Sequence, residues 1–381
     1  MARVLGDDHL LELEDGRSIG YATWGDPEGT TVFLGHGMPG SRLDHYAGLD
    51  DPDWVRRRRV RFVGVDRPGY GYSDPWQEAS LLDCAGDFVR VADHLGLERF
   101  AALGVSGGAR YVIALGALAP ERVGRIAVVC AADIGLEEGE TPEEMAADVG
   151  AQARMLRENP EEWYAGLVAE VTEADRPVLE RPEVRASAVE TFQEAVRQGA
   201  VGWIDDVLRQ ERPWPFGLDE IGADVSFHHG EDDTLAPPQY AEEIAEGIPG
   251  SRLRLYPGEG HISILDRPSK EIVENLLAHY PGRRVRERRP TARYAPKCVE
   301  KLSGKSGCAP KWGSEGGQEG SKRPRSATSQ RPVTTLQKPQ VIFQTVSPRS
   351  PVDRSRTRAL ELGSWHHGLR QRAQRARRLA R

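Results

Sequence analysis

Phe100-Ala101-Ala102-Leu103-Gly104-Val105-Ser106-Gly107-Gly108 is the stretch whose reading decides the fold. An apolar run of strand length ends in the G-x-S-x-G pattern Gly104 to Gly108, and the segment from Gly108 to Leu118 then takes a helical period. In a chain with 41 glycines that pattern alone is modest evidence, so its setting between a strand and a helix carries the weight. A serine in a tight strand-to-helix turn is held in strained backbone geometry. Side chains two residues to either side would collide there, which is the reason for Gly104 and Gly108. The turn exposes the hydroxyl in a cleft, sets a helix N-terminus beneath it, and points the Gly107 N–H to where an oxyanion would form.

A serine hydroxyl is a poor nucleophile at neutral pH. It needs a base, and the base needs an acid that fixes its tautomer and steadies its positive charge. Both follow in order along the chain, as His229-Gly230-Glu231-Asp232-Asp233 and as Pro257-Gly258-Glu259-Gly260-His261. Each lies just beyond a predicted strand, at the edge where parallel α/β sheets gather ligands. Three adjacent acids leave the choice among Glu231, Asp232 and Asp233 open on spacing alone.

Outward from these motifs, short β-branched runs alternate with 3.6-period segments, the mark of βα units and a mostly parallel sheet flanked by helices. His9 to Glu14 and Arg17 to Trp24 read as a hairpin about Asp15-Gly16. Strands follow at Thr31–Leu34, Arg61–Val65, Phe100–Val105, Arg125–Cys130, Val225–His228 and Arg252–Tyr256, with helices near Glu78–Leu95, Gly108–Leu118, Pro238–Glu246 and Ser269–His279. From about Gly135 to Pro215 no strand pattern is visible. Glu and Ala dominate, and Trp163, Tyr164, Phe192, Trp203 and Trp214 fall at scattered helical spacing, which reads as an inserted helical cap whose aromatics serve as core.

Four features together resemble the α/β-hydrolase fold over about residues 9 to 280: the turn His36-Gly37-Met38-Pro39-Gly40 after a strand, the elbow at Ser106, a G-x-x-D ending at Asp233, and the GH dipeptide at His261. The resemblance implies a triad of Ser106, Asp233 and His261, with Asp233 preferred because it stands three residues after the glycine. It also implies an oxyanion hole of the Met38 and Gly107 amides. His36 and His229 are read as structural, since the cleft needs one base. Asp66-Arg67-Pro68-Gly69-Tyr70-Gly71-Tyr72-Ser73-Asp74 is similar to a loop of the same family, and is read as a Pro-Gly turn with local side-chain hydrogen bonds. The chain thus divides into a core at 1–134 and 216–282, a helical cap at 135–215, and a tail at 283–381.

Charge separates that tail from the rest. Of the 51 Lys and Arg and 58 Asp and Glu, 25 and 6 fall in residues 283–381, which leaves 26 and 52 in the first 282. The tail lacks hydrophobic periodicity and cannot bury enough apolar area to offset the entropy of ordering, so disorder is expected. Its arginines would suit an anionic surface or nucleic acid, but no binding motif accompanies them and a solvated tail is the favoured reading. Lys270 is the only lysine before residue 283 and six follow it in the tail, a change that also allows out-of-frame or read-through sequence. No apolar run reaches the roughly 18 to 20 residues of a membrane span, and the acidic N-terminus lacks the pattern of a secretory signal, so a cytoplasmic location is expected. Cys84, Cys130, Cys298 and Cys308 show neither metal-ligand nor redox spacing, and with no nucleotide-binding glycine loop the sequence implies no metal and no cofactor.

Family members that open epoxides or remove halides carry aspartate at the elbow, so Ser106 points to acyl transfer and, most directly, to hydrolysis of a small carboxylic ester. The excess of acidic residues in the cap, 19 against 8 basic between Glu137 and Arg212, disfavours anionic substrates. One rival is an aminopeptidase similar to proline iminopeptidases, which share the HG-x-PG turn but show a GGSWG-like elbow where this chain has GVSGGAR. The other is a receptor that keeps the fold and holds a small ligand without chemistry.

Overall fold

Eight strands form one sheet in the order β1-β2-β4-β3-β5-β6-β7-β8 in a computed structural model that describes residues 7–44, 46–136 and 139–278, all within one unit of the chain. The strands are β1 (Asp7–Glu12), β2 (Ser18–Gly25), β3 (Thr30–Gly35), β4 (Val60–Val65), β5 (Phe100–Val105), β6 (Val123–Val129), β7 (Asp224–Gly230) and β8 (Arg252–Tyr256). β1 and β2 form the expected antiparallel hairpin, closed by Leu13 and Arg17 around Gly16, and β2 runs antiparallel to β4. All remaining pairs are parallel. The registers Gly35 with Gly104, Val105 with Val129, and Val129 with His228 bring the C-terminal ends of β3, β5, β6 and β7 level. The loops that leave this edge carry the chemistry.

Helices cover both faces because β3 to β7 are apolar on both sides, as expected for a sheet buried from above and below. On one face α2 (Leu81–His94), α3 (Ala109–Leu118) and α9 (Gln239–Gly247) close a core containing Phe33, Phe88, Phe100 and Phe227. On the other, α1 (Pro52–Arg58) and α10 (Ser269–Leu277) bury Trp54, Val55, Ile272 and Val273 against Leu34, Phe62 and Leu103. Ser80 and Asp83 make a reciprocal capping box that starts α2 three residues after the predicted boundary. Helix α1 has no counterpart in the sequence reading. Its Asp51 N-cap and Pro52 are both proper start signals, but seven residues with only Trp54 and Val55 buried are too few to show a period.

Between β6 and β7 the chain folds into α4 (Pro142–Glu158), α5 (Pro160–Glu170), α6 (Arg176–Leu179), α7 (Pro182–Ala195) and α8 (Val201–Gln210). Thr141 and Glu144 box the start of α4, and proline occupies an early position in α4, α5, α6 and α7, which explains why the inserted segment is cut into separate helices. These helices own a third apolar cluster, with Leu156, Trp163, Tyr164 and Trp203, that meets the loop after β4 through Tyr70. No helix among the described residues is long and apolar enough to cross a membrane. The expected disorder of 283–381, with Cys298 and Cys308, lies outside the described residues.

Candidate active site

Ser106 follows directly on the last residue of β5 with φ 53°, a left-handed conformation that costs a non-glycine residue of order 1 kcal/mol or more. The strain is held by close backbone approach. A Cβ on Gly104 would lie 2.5 Å from Val112 Cγ2 and 2.8 Å from the Gly108 carbonyl, and one on Gly108 would lie 2.2 Å from the Gly35 carbonyl oxygen. Both flanking glycines are therefore sterically required, as the pattern predicts. The last of these contacts also seats the elbow on the turn that follows β3, and a Cβ on Gly107 would meet Met38 Cβ at 2.9 Å. Met38 and Gly107, the two expected oxyanion donors, are thereby neighbours.

Of the three candidate acids, Glu231 and Asp232 are exposed and Asp233 is buried. Asp233 Oδ1 accepts the amides of Leu235 at 3.0 Å and Ala236 at 2.8 Å, which orients the carboxylate. Its Oδ2 accepts from His261 Nδ1 at 2.7 Å. The same oxygen stands 3.2 Å from Nε2 of His229, a fully buried ring that also donates to the Ala236 carbonyl at 2.6 Å. Burial acts to raise the Asp233 pKa, yet the His261 charge and the hydrogen bonds of both histidines hold it well below the carboxylate range. For His261 burial acts to lower the pKa, but the Asp233 charge and hydrogen bond and then the charge of Asp175 outweigh it and leave the ring raised. With Nδ1 committed to Asp233, Nε2 is the nitrogen left for proton transfer.

Ser106 and His261 line one cavity of about 360 Å³, together with Gly37, Met38 and Pro39. Among the described residues the Ser106 hydroxyl and His261 share no direct hydrogen bond, so the structure joins His261 to Asp233 by contact and to Ser106 through the cavity wall. In unliganded sites such bonds are commonly long and tighten only with substrate in place. The inserted helices supply the opposite wall with Trp163, Leu167, Val178, Leu179, Val184 and Phe192. Trp163 and Phe192, stacked edge to face with centroids 5.1 Å apart, therefore combine core packing with cavity lining, whereas Tyr164, Trp203 and Trp214 pack elsewhere as the sequence reading expects. Asp44 is half-buried in the same wall, with Gly37 N–H 3.1 Å from its carboxylate; its pKa is raised to about 6, chiefly by burial and further by Asp66, against the Gly37 and Ser41 amides and Arg67.

His36 is structural, as expected. Its Nδ1 pairs with the Gly37 carbonyl at 2.9 Å, its Nε2 takes the Arg67 amide at 3.2 Å, and burial, then the Arg67 charge, push its pKa well down. The loop Asp66 to Asp74 makes the expected local bonds, Tyr72 N to Asp66 Oδ2 at 2.9 Å and Ser73 Oγ to the Asp66 carbonyl at 2.7 Å. It also does something the sequence reading missed. Arg67, fully buried, donates to the carbonyls of His36 and Gly37 and to Asp206 Oδ2 at 2.6 Å. Asp206, on α8, further accepts from Tyr70, Tyr111 and Arg209. This ties the turn after β3 to α3, the helix that follows the elbow, and to the insertion. The only sequence signal was an acidic residue on the apolar side of α8.

Cys84 and Cys130 are buried free thiols. Cys130 stands at the end of β6 with φ 49°, its sulfur within 4.8 Å of the Asp233 carboxylate and the His261 ring, and burial, then the charge of Asp233, push its pKa well up.

The sequence model of the alpha/beta hydrolase fold matches residues 30–268, and the chain belongs to that family. It is similar to the AB hydrolase superfamily protein YisY of Bacillus subtilis (strain 168), with 29% identity over 286 residues that cover 66% of this chain and 96% of the relative. A shorter match, 34% identical over 113 residues, covers 27% of this chain and 33% of a probable proline iminopeptidase of Streptomyces coelicolor. Among solved structures, a hydrolase from Pseudomonas aeruginosa PA01 superposes with TM-score 0.57 at 23% identity, over 71% of this chain and 98% of its own. The fold is thus that of the family, and hydrolases stand among the proteins the chain resembles.

Proposed function

We propose that the protein is a serine hydrolase that cleaves a small, neutral carboxylic ester through an acyl-enzyme, with Ser106, His261 and Asp233 as its triad. One observation carries the reading: a serine strained at φ 53° on the elbow and a histidine hydrogen-bonded at 2.7 Å to a buried aspartate open into one cavity. Ser106 Oγ attacks the carbonyl carbon while its proton passes to His261 Nε2. The amides of Met38 and Gly107 hold the oxyanion, each such donor being worth about 3 kcal/mol in the transition state. The Nδ1–H stays on the imidazole, directed at Asp233, which steadies the imidazolium. His261 then returns the proton to the departing alcohol, and water, activated by the same ring, releases the acid. The apolar wall supplied by the insertion, acting as a cap, suits an apolar acyl or alcohol group, and its volume suits a small one. Ser106→Ala is expected to lose turnover of short p-nitrophenyl esters, and wild-type Ser106 to be labelled rapidly by a fluorophosphonate. Ester hydrolysis by the alanine variant at the wild-type rate would refute the assignment, and a protein that neither turns over esters nor takes the label would be a receptor.

A second reading, an aminopeptidase on proline-like substrates, is favoured by the local likeness to a probable proline iminopeptidase and by the half-buried Asp44 in the cavity wall, a carboxylate suited to a substrate amine. Proline arylamides assayed beside esters separate the two.

A further inference from the structure

The loop that carries His261 is gripped from the insertion. Asp175, the residue before α6, is fully buried, and its carboxylate accepts three consecutive amides: His261 N at 3.1 Å on Oδ2, then Ile262 N at 2.9 Å and Ser263 N at 2.8 Å on Oδ1. Among the described residues no lysine or arginine pairs with it. The approach is so close that a Cβ on Gly260 would lie 2.5 Å from both carboxylate oxygens, which gives the GH dipeptide a steric reason of its own. Backward, the Asp175 amide is tied to Thr172, by its carbonyl at 3.2 Å and its hydroxyl at 3.3 Å. Three amides are enough to orient a carboxylate. They leave its negative charge beside the catalytic ring without a countercharge, in a setting of low polarizability where charges act strongly.

We propose that Asp175 is a positioning residue for catalysis: the insertion supplies a second carboxylate, behind the loop, that sets the place of His261 and steadies the imidazolium that forms when Ser106 attacks. This rests on His261 acting as the base. It divides the work between two acids. Asp233 fixes the tautomer by direct contact with Nδ1, and Asp175 fixes the main chain from which the ring projects and adds a fixed charge. The titratable and hydroxyl groups closest to His261 are Asp233 after β7, with His229 behind it, Cys130 after β6, Ser106 after β5 and Asp175 before α6, and across the shared cavity stand Asp44, Asp50, Arg181 and Glu183. Asp175 is the group of the insertion whose carboxylate bonds the His261 main chain. Removing the insertion or lifting this corner of it would leave three loop amides without their acceptor, so the helices are part of the catalytic apparatus and more than a wall of the cavity.

Asp175→Asn tests this, because the amide keeps the shape and Oδ1 while it removes the charge and turns an NH₂ group toward the His261 amide. The full chain is assayed on p-nitrophenyl esters across pH. Since Asp175 raises the ring pKa and only the neutral ring accepts a proton, loss of the charge is expected to move the acid limb of kcat/KM to lower pH. On the plateau kcat is expected to fall roughly 10- to 100-fold with KM little changed, the range for a misplaced catalytic group. A folded variant with the limb and kcat of the wild type would overturn the proposal, and so would one whose melting temperature alone falls. If Asp175→Asn does not fold, Gly260→Ala puts a Cβ 2.5 Å from both oxygens of the same carboxylate and forces it from the loop, and the same two readouts decide. Ser106→Ala run alongside separates the failures: activity in that variant sinks the triad itself, whereas its silence beside an unmoved limb in Asp175→Asn sinks only the role of Asp175.

Discussion

Asp206→Leu is expected to be among the most damaging changes outside the proposed triad. The Asp206 side chain takes five donor contacts, two from Arg67 and one each from Tyr70, Tyr111 and Arg209, and is fully buried with both arginines. Leucine leaves two buried guanidinium groups without their shared acid. Breaking one buried pair in this way costs about 3 to 5 kcal/mol. Against a total stability of about 5 to 15 kcal/mol this is a large fraction. At about 2 to 4 °C per kcal/mol for a domain of comparable size, the melting temperature should drop on the order of 10 °C. Turnover should fall as well, because Arg67 is what holds the His36 and Gly37 carbonyls, and with them the Met38 amide, in place. Adding Arg67→Met removes one stranded charge, so the double variant should lose less than the sum of the single losses, with a coupling of roughly 0.5 to 3 kcal/mol. Urea unfolding of the four proteins measures it. Strictly additive losses, or an Asp206→Leu protein as stable and active as the parent, would refute the claim that this network braces the oxyanion side of the site.

Gly108→Ala should fold with a loss of about 1 to 3 kcal/mol and a disproportionate loss of kcat, since its Cβ must push the elbow away from the Gly35 and His36 carbonyls; unchanged kcat in a stable variant would show that the two turns need not touch. Asp233→Asn should lower kcat about 10⁴-fold by favouring the wrong tautomer of His261, as in other triads, measured on the same esters. The depressed pKa of Asp233 also makes it a stability switch. Its contribution is fully present above the unfolded carboxylate pKa of about 4 and is lost as the pH falls through the folded value, while the raised His261 ring contributes only below its own folded pKa, so the stability gap between wild type and Asp233→Asn should narrow in acid and narrow again as the pH rises through the His261 pKa. Chemical unfolding at several pH values reads this directly, and a gap that widens in acid would count against it.

The parts of the fold that were legible are those governed by local rules. β3 to β7 showed as apolar runs because a strand buried on both faces must be apolar along its length, the edge strand β8 showed by alternation of Arg252 and Arg254 with Leu253 and Leu255, and Asp15-Gly16 marked its hairpin through the positive φ that Gly16 adopts. Ser106 with Gly104 was legible for the same reason, since Gly104 answers contacts within its own turn and helix, whereas the approach that requires Gly108 is to Gly35 and His36 at the end of the neighbouring strand. Helix α1 fell below the length at which a period can be seen.

What the sequence by itself determined was the set of groups available and the elements that carry them: a strained serine, a histidine and acids after later strands, and a helical insertion. What only the tertiary structure decided was pairing. Asp175 lies 86 residues from the His261 amide it holds, and Arg67 lies 139 residues from Asp206. Glu231, Asp232 and Asp233 are equivalent as residues of a loop, and become unlike only when the alignment of β7 with β8 buries one of them against an imidazole. The physical reason is range. Backbone preference and periodicity act over a few positions and leave their mark in the order of residues, whereas the energy of a buried charge depends on whichever groups the folded chain brings to it, and no spacing along the sequence records that.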